Sequence, residues 1–170
     1  MYSINPESRW RPLVALLAGC ALFAAAACSR SHTVSTSDGK VTYQEKGKDA
    51  GTVTVTGKDG KTATLSFNQN KIPDDYPKDV PLYGGVKVLM SQSASDKNER
   101  NLMLESSDAA DKIAEFYKKE LDRNGWKVET TMNTGGLQMF SANKDQRSIM
   151  IQITDSGGKR SIMQVLSDKN

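Results

Sequence analysis

The chain has 170 residues, of which 37% are hydrophobic and 25% charged, and its formal net charge is +3. Basic and acidic residues are interspersed along the chain, which argues against a surface that neutralises nucleic-acid phosphates. With one histidine and two cysteines, the chain lacks the ligand clusters of a zinc site. We therefore expect no metal, no cofactor and no nucleic-acid partner.

Residues 1–27 have the order of a cleavable signal peptide. A polar start with Arg9 and Arg11 precedes the uncharged run LVALLAGCALFAAAA at 13–27. At about 1.5 Å rise per residue, this run is shorter than the ~30 Å hydrocarbon core of a bilayer. A cleaved targeting segment is therefore favoured over a transmembrane helix.

Each cysteine follows small residues, in LAGC at 17–20 and in AAAC at 25–28. Both segments resemble the lipobox of bacterial lipoproteins, and LAGC matches the lipobox consensus sequence better than AAAC does. Cleavage before Cys20, however, leaves an apolar segment of only 13–16 and an apolar mature N-terminus. Cleavage before Cys28 uses the whole apolar segment. Cys28 is the predicted lipidation site, with Cys20 as the alternative, and no cysteine then remains for a disulfide.

The resemblance to lipoproteins implies a diacylglyceryl thioether on the Cys28 sulfur and an acyl group on its new α-amine. Two or three acyl chains provide a lasting membrane anchor. The implied partners are the membrane, through the Cys28 lipid, and the lipoprotein-processing machinery. Ser29 follows the anchor, where an Asp commonly marks retention in the inner membrane. The resemblance thus implies a bacterial cell-envelope protein of the outer membrane, facing the periplasm.

Two short segments follow the anchor. Residues 28–37 are small and polar, and we expect a flexible, lipidated tether in which His32 is solvated. Residues 38–69 alternate Asp-containing turns with the β-prone runs VTYQE, TVTVT and TATLSF, which predicts a small β-meander. One Asp per turn is too few for a calcium site, so turn chemistry is the preferred interpretation.

Residues 70–170 are predicted to form the main domain. The segment KIPDDYPKDVPLYGG at 71–85 has a proline at every fourth position, which disfavours a helix and indicates an extended strip. It is interpreted as a structural lead-in that covers the core, with a strip for a ligand or partner as the alternative.

The order predicted after that strip is β-β-α-β-β-β-β. A helix is expected over 108–124, with Ser107 as its N-cap, and Gly125 and Trp126 are expected to close it in a Schellman ending. Alternating Ile149, Ile151 and Ile153 predict a buried sheet face. The predicted fold class is α+β: an antiparallel sheet with one helix on one face, preceded by the small meander.

Two segments of this domain contain sequence motifs that also occur in other proteins. Pro-x-x-x-Pro-x-Tyr ends at Tyr83, and Phe-Tyr-x-x-x-Leu-x-x-x-Gly-Trp spans 116–126. Together they resemble a group of small, uncharacterised bacterial lipoproteins and secreted proteins over about residues 70–168. This resemblance implies location and fold, and it implies no chemistry. The helix-on-sheet order is also similar to domains of outer-membrane assembly lipoproteins, at the level of fold alone.

No catalytic set is evident, because the histidine and Cys28 both fall in the tether and no glycine-rich phosphate loop is present. Two carboxylate pairs remain: Asp74 with Asp75, and Glu105 with Asp108. We therefore expect a non-enzymatic binding or structural module with an envelope-protein partner. The alternative is an envelope-polymer hydrolase that uses surface carboxylates. Four methionines are candidate adaptable contacts on an exposed sheet face, although ordinary core packing is the preferred interpretation: Met103, Met139, Met150 and Met163.

Overall fold

Alternating side chains and tight turns fold the described part of the chain, residues 30–95 and 98–168, into strands joined by hairpins. In this computed structural model the strands are β1 (Ser31–Thr36), β2 (Gly39–Glu45), β3 (Gly51–Gly57), β4 (Thr62–Phe67), β5 (Lys87–Ala94), β6 (Glu99–Ser106), β7 (Lys127–Thr134), β8 (Leu137–Lys144), β9 (Arg147–Ser156) and β10 (Lys159–Asp168). A helix, α1 (Ala110–Arg123), lies between β6 and β7.

All ten strands belong to one antiparallel sheet, in the order β1-β2-β3-β4-β5-β6-β10-β9-β8-β7. Strands β1 to β6 form one meander and β7 to β10 form another. The pairing of β6 with β10 joins the two meanders into a continuous sheet.

The predicted fold class is wrong, because the protein is β-rich and not an α+β domain preceded by a separate small meander. The β-prone runs of 38–69 do form strands β2, β3 and β4. However, β4 hydrogen-bonds along its edge to β5, with Phe67 opposite Met90. The meander therefore extends the main sheet. Alternation in the sequence defines the face of a strand but does not define which strand edge it pairs with.

The expected tether also needs correction. Residues Ser31–Thr36 form β1, which pairs with β2 and places His32 opposite Tyr43. The predicted signal peptide and both cysteines lie outside the described residues. The described residues contain no helical segment with the length and hydrophobicity of a membrane span.

The core lies on one face of the sheet, which we call the helix face. Helix α1 packs there against β7, β8 and β9. Ile149, Ile151 and Ile153 are buried on this face, as predicted. From α1, Ile113, Tyr117 and Leu121 complete the contact, because their spacing places them on one side of the helix.

Both ends of α1 can be compared with expectation. The N-cap position is Ala109, without a side-chain cap, so the predicted cap at Ser107 is wrong. The C-terminal prediction is confirmed: the amide of Trp126 donates to the Leu121 carbonyl at 2.8 Å, and that of Gly125 to the Asp122 carbonyl at 3.0 Å. Gly125 has the positive φ of 77° that this Schellman ending requires.

Residues 71–85, which we call the proline segment, complete the cover of the helix face. The segment is not fully extended as predicted, because it contains successive turns closed by Tyr76 N–H to the Pro73 carbonyl and Val80 N–H to the Pro77 carbonyl. Tyr76, Val80 and Tyr83 are buried in the core. The segment thus covers the core, as its structural interpretation requires.

Candidate functional site

A pocket of about 260 Å³ opens on the helix face, beside the proline segment. Strands β4, β5 and β6 form its floor, and residues 73–76 form one wall. Its lining residues are Thr64, Ser66, Pro73, Asp75, Tyr76, Ser91, Gln92, Ser93, Arg100 and Asn101. Strand alternation directs the side chains of Gln92 and Asn101 to the opposite face, so these two residues contribute backbone.

The floor consists of two cross-strand rows of hydroxyl side chains. Thr64 on β4 faces Ser93 on β5, which faces Arg100 on β6. In the next row, Ser66 faces Ser91. Each hydroxyl offers one donor and two acceptor sites. The floor can therefore donate hydrogen bonds to a ligand and accept them from it.

The first of these rows continues beyond the pocket. Thr64 faces Thr54 on β3, Thr54 faces Thr42 on β2, and Thr42 faces Thr33 on β1. The hydroxyls of Thr33 and Thr42 lie 3.2 Å apart. The helix face is thus an apolar core where α1 covers it and a row of hydroxyls toward the β1 edge of the sheet.

Arg100 is the cation of the pocket. Its Nε lies 3.8 Å from Asp75 Oδ2, and its Nη1 lies 3.2 Å from Asp168 Oδ2. The side chain of Arg100 is 29% exposed and that of Asp75 is 62% exposed. Because the contact to Asp75 is long and its carboxylate is open to solvent, both groups retain hydrogen-bonding capacity toward a ligand.

The wall at Tyr76 is held by a buried hydrogen-bond network. Tyr76 donates its hydroxyl to Gln164 Oε1 at 2.6 Å, and Gln164 Nε2 donates to the Pro81 carbonyl and to the Tyr117 hydroxyl. Gln164 itself is fully buried. Burial raises the pKa of Tyr117 to about 12 and also raises the pKa of Tyr76, so both rings stay neutral. The network links the proline segment, β10 and α1.

A second clasp holds the proline segment at Asp79. Arg147 donates to both carboxylate oxygens of Asp79, at 3.0 and 2.6 Å, and Lys144 donates to Oδ2 at 2.8 Å. The Arg147 hydrogen bonds, with help from Lys144, hold the pKa of Asp79 well below its usual range. Trp126 donates its indole N–H to the Asp79 carbonyl, and its ring lies under the Arg147 guanidinium.

The carboxylate pairs singled out in the sequence do not form an acid–base pair. Asp74 lies outside the pocket and binds Lys71 at 2.8 Å. Asp75 lies inside the pocket, beside Arg100. Glu105 binds Lys159 at 2.6 Å on the face opposite the pocket.

Asp108 lies before α1 and accepts hydrogen bonds from Tyr83 and Lys112, which lower its pKa. A general acid needs the reverse shift. Within the described residues, no group of three or more His, Cys, Asp or Glu side chains is placed so that it could hold a metal ion.

The candidate methionines lie on the face opposite α1, together with two further methionines. Strand register places Met90, Met103 and Met163 in one row, and the row continues through Gln152 to Met139 and Met132. Met150 lies on the same face beside this row. We call this surface the methionine face. All four candidate methionines lie outside the buried core and are partly exposed, so the preferred interpretation as ordinary core is wrong.

Sequence reasoning did not identify Arg100 or the hydroxyl floor. The sequence nonetheless contains a signal for the floor. In TVTVT and TATLSF, apolar residues alternate with Thr or Ser, so one face of each strand carries hydroxyl side chains. Only the register of β4, β5 and β6 brings those hydroxyls beside Arg100. His32, expected to be solvated, is exposed on β1, far in strand order from the pocket.

A family model described as START domain-like matches residues 87–159, from β5 to the first residue of β10. The matched region includes the β5 and β6 parts of the pocket floor. No curated protein and no solved structure matches the chain.

Proposed function

We propose that this protein is a non-enzymatic, lipid-anchored binding module of the bacterial cell envelope, and that it takes a small, hydroxyl-rich ligand in the pocket at Arg100. One observation carries the proposal: four hydroxyl side chains form a floor beside an arginine–aspartate pair. The match to a START domain-like family model favours a ligand-binding module over a purely structural one.

The chemistry of the lining defines the class of ligand. Drug-sized ligands occupy pockets of ~300–1,000 Å³, so a pocket of about 260 Å³ suits a smaller molecule such as one sugar ring. Sugar hydroxyls both donate and accept hydrogen bonds. The floor hydroxyls, the Arg100 donors and the Asp75 acceptor match both needs.

The anchor and the location rest on the sequence. Lipid on Cys28 would hold the module at the envelope, at the outer membrane facing the periplasm, where soluble sugars and envelope polymers are in reach. The hydrolase alternative requires two cooperating carboxylates. Asp75 is the one acidic lining residue of the pocket, and it lies beside Arg100. Binding without turnover is therefore the proposal that the lining supports better.

A thermal-unfolding panel tests this function. The full chain would be heated with glucose, N-acetylglucosamine and inositol, each at millimolar concentration, and with phosphate as an anionic comparison. We expect at least one hydroxyl-rich compound to raise Tm in proportion to its concentration, because a ligand that binds only the folded state stabilises it. Phosphate should have a smaller effect, because Asp75 and Asp168 already neutralise Arg100.

Two matched variants locate the site. Thr64→Val removes a floor hydroxyl at nearly constant shape, and Thr54→Val removes its neighbour in the same row outside the pocket. The first variant should reduce the ligand-induced Tm shift and the second should leave it unchanged. An equal response of both variants, or no shift with any hydroxyl-rich compound, would contradict the proposal.

A further inference from the structure

Three methionines stand side by side on adjacent strands of the methionine face. Met90 on β5 is the register partner of Met103 on β6, and Met103 is the register partner of Met163 on β10. We propose that the thioether sulfurs of these three residues form a binding site for one Cu(I) ion. This site is separate from the pocket, because it lies on the other face of the sheet.

The spacing of the three side chains suits a single ion. Cβ atoms of directly opposed residues in antiparallel strands lie about 4.5–5.5 Å apart. Two sulfurs that share an ion through metal–sulfur bonds of roughly 2.3 Å lie at most about 4.6 Å apart. Met90 and Met163 lie on strands about 9.6 Å apart, with β6 between them, so both side chains must lean fully toward Met103 for the three sulfurs to share one ion. The three rotatable bonds of methionine allow this.

The donor chemistry selects the ion. Thioether sulfur is a soft, neutral ligand that favours Cu(I), whereas Mg²⁺, Ca²⁺ and Mn²⁺ prefer oxygen ligands. Because thioethers carry no proton at neutral pH, the site needs no deprotonation to bind. All three methionines are partly exposed, so an ion can enter from solvent.

The surroundings distinguish this trio from the other methionines of the face. Gln152 Nε2 lies 3.9 Å from Met139 Sδ and 3.7 Å from Met150 Sδ, so its amide engages both of those sulfurs. In the described part of the chain, no hydrogen bond reaches the sulfurs of Met90, Met103 or Met163. The trio thus has its sulfur lone pairs available.

A buried oxygen close to the trio also fits a cation. Asn101 is two residues from Met103 on the same face, and its Oδ1 is buried without a hydrogen-bond partner among the described residues. Unpaired buried acceptors are costly. A cation at Met103 would place positive charge beside this oxygen. Glu105, also on this face, is already neutralised by Lys159.

Competition with a chromophoric chelator tests the site. The full chain would carry Cys20→Ser and Cys28→Ser, because a thiolate would itself bind Cu(I). It would then be titrated, under ascorbate and without oxygen, against the Cu(I) complex of bicinchoninate. We expect the protein to remove one equivalent of Cu(I). The methyl carbon resonances of Met90, Met103 and Met163 should shift, and Zn²⁺ should not bind there.

Two triple variants of equal composition provide the control. M90L/M103L/M163L removes the proposed ligands and keeps the face apolar, so we expect at least a tenfold loss of Cu(I) affinity. M132L/M139L/M150L removes three thioethers from the same face and should retain wild-type affinity. Retention of affinity in the first variant, loss in both, or no competition by the parent chain would overturn the proposal. Met103→Leu alone provides the same test if the triple variant does not fold.

Discussion

Tyr76 and Gln164, which are 88 positions apart in the chain, meet in a buried hydrogen bond of 2.6 Å. This bond attaches the wall of the pocket to the central strand β10. Gln164 accepts this bond through Oε1 and donates from Nε2 to the Pro81 carbonyl and the Tyr117 hydroxyl, so both ends of its amide are paired at a completely buried position. The position of the pocket wall therefore depends on one core side chain.

Gln164→Leu should destabilise the protein strongly. The substitution leaves the Tyr76 hydroxyl, the Tyr117 hydroxyl and the Pro81 carbonyl without their shared partner, and each unpaired buried polar group costs about 1–3 kcal/mol. We expect a loss of ~3 kcal/mol or more in the free energy of unfolding, measured by urea denaturation. Tyr76→Phe removes only one of the three bonds and should cost less. Equal stability of wild type and Gln164→Leu would show that the network is not stabilising.

Asp79→Asn should lower stability in a pH-dependent way. The pKa of Asp79 is depressed in the folded protein because Arg147 and Lys144 bind its carboxylate. A depressed carboxyl pKa contributes stability above the unfolded-state pKa, near 3.8, and the contribution is lost as pH falls through the folded-state pKa. We expect a loss of about 1–2 kcal/mol at pH 7, allowing for partial solvent screening.

Measurements at acidic pH test whether the charge of Asp79 stabilises the fold. Urea unfolding at pH 7, 4 and 2.5 should show the stability gap between wild type and Asp79→Asn narrowing toward acid. Asp74→Asn is the control, because its carboxylate is 85% exposed and binds only Lys71. A gap that stays constant with pH would mean that the Asp79 charge does not stabilise the clasp.

Gly125→Ala should cost about 1 kcal/mol. The added Cβ meets only Lys144 Cε at 3.9 Å, so the cost comes from the positive φ of 77° and not from a clash. Gly125→Asn should cost less, because asparagine tolerates this conformation better. Gly84→Ala is the matched control, since Gly84 has no positive φ and nothing within 4 Å of its added Cβ. Thermal unfolding of the three variants would show whether this order holds.

The sequence predicted local features well and long-range pairing poorly. Helix closure at Gly125 and the buried isoleucines of β9 follow from residue type and spacing within a few positions. The pairing of β4 with β5 does not follow in this way, because the proline segment separates the two strands in the chain. Their alternating apolar residues would be buried equally well by pairing along the strand edges or by packing face to face.

The same distinction explains which site residues were missed. The methionines were identifiable by type, but their alignment in one row depends on the register of neighbouring strands. In β7, a bulge between Val128 and Thr130 shifts the register with β8, so side chains after the bulge change face. Val128 therefore packs on the core while Met132 is 36% exposed on the methionine face.

Cys28→Ser should abolish lipidation, whereas Cys20→Ser should change little. In the proposed maturation, cleavage before Cys28 would remove Cys20 with the signal peptide, so only Cys28 would remain to carry the acyl chains. Metabolic labelling with a palmitate analogue, followed by gel analysis, distinguishes the two cysteines. Loss of label in the Cys20 variant alone would reverse the assignment. Label in both variants would mean that neither cysteine is the unique anchor.

The most direct test of the binding function is an amide chemical-shift titration of the full chain with N-acetylglucosamine to millimolar concentration. The account predicts that the perturbed amides cluster at Thr64, Ser66, Ser91, Ser93 and Arg100, and that Thr64→Val weakens the titration while Thr54→Val does not. Shifts confined to other strands, or a titration that is identical in both variants, would contradict it.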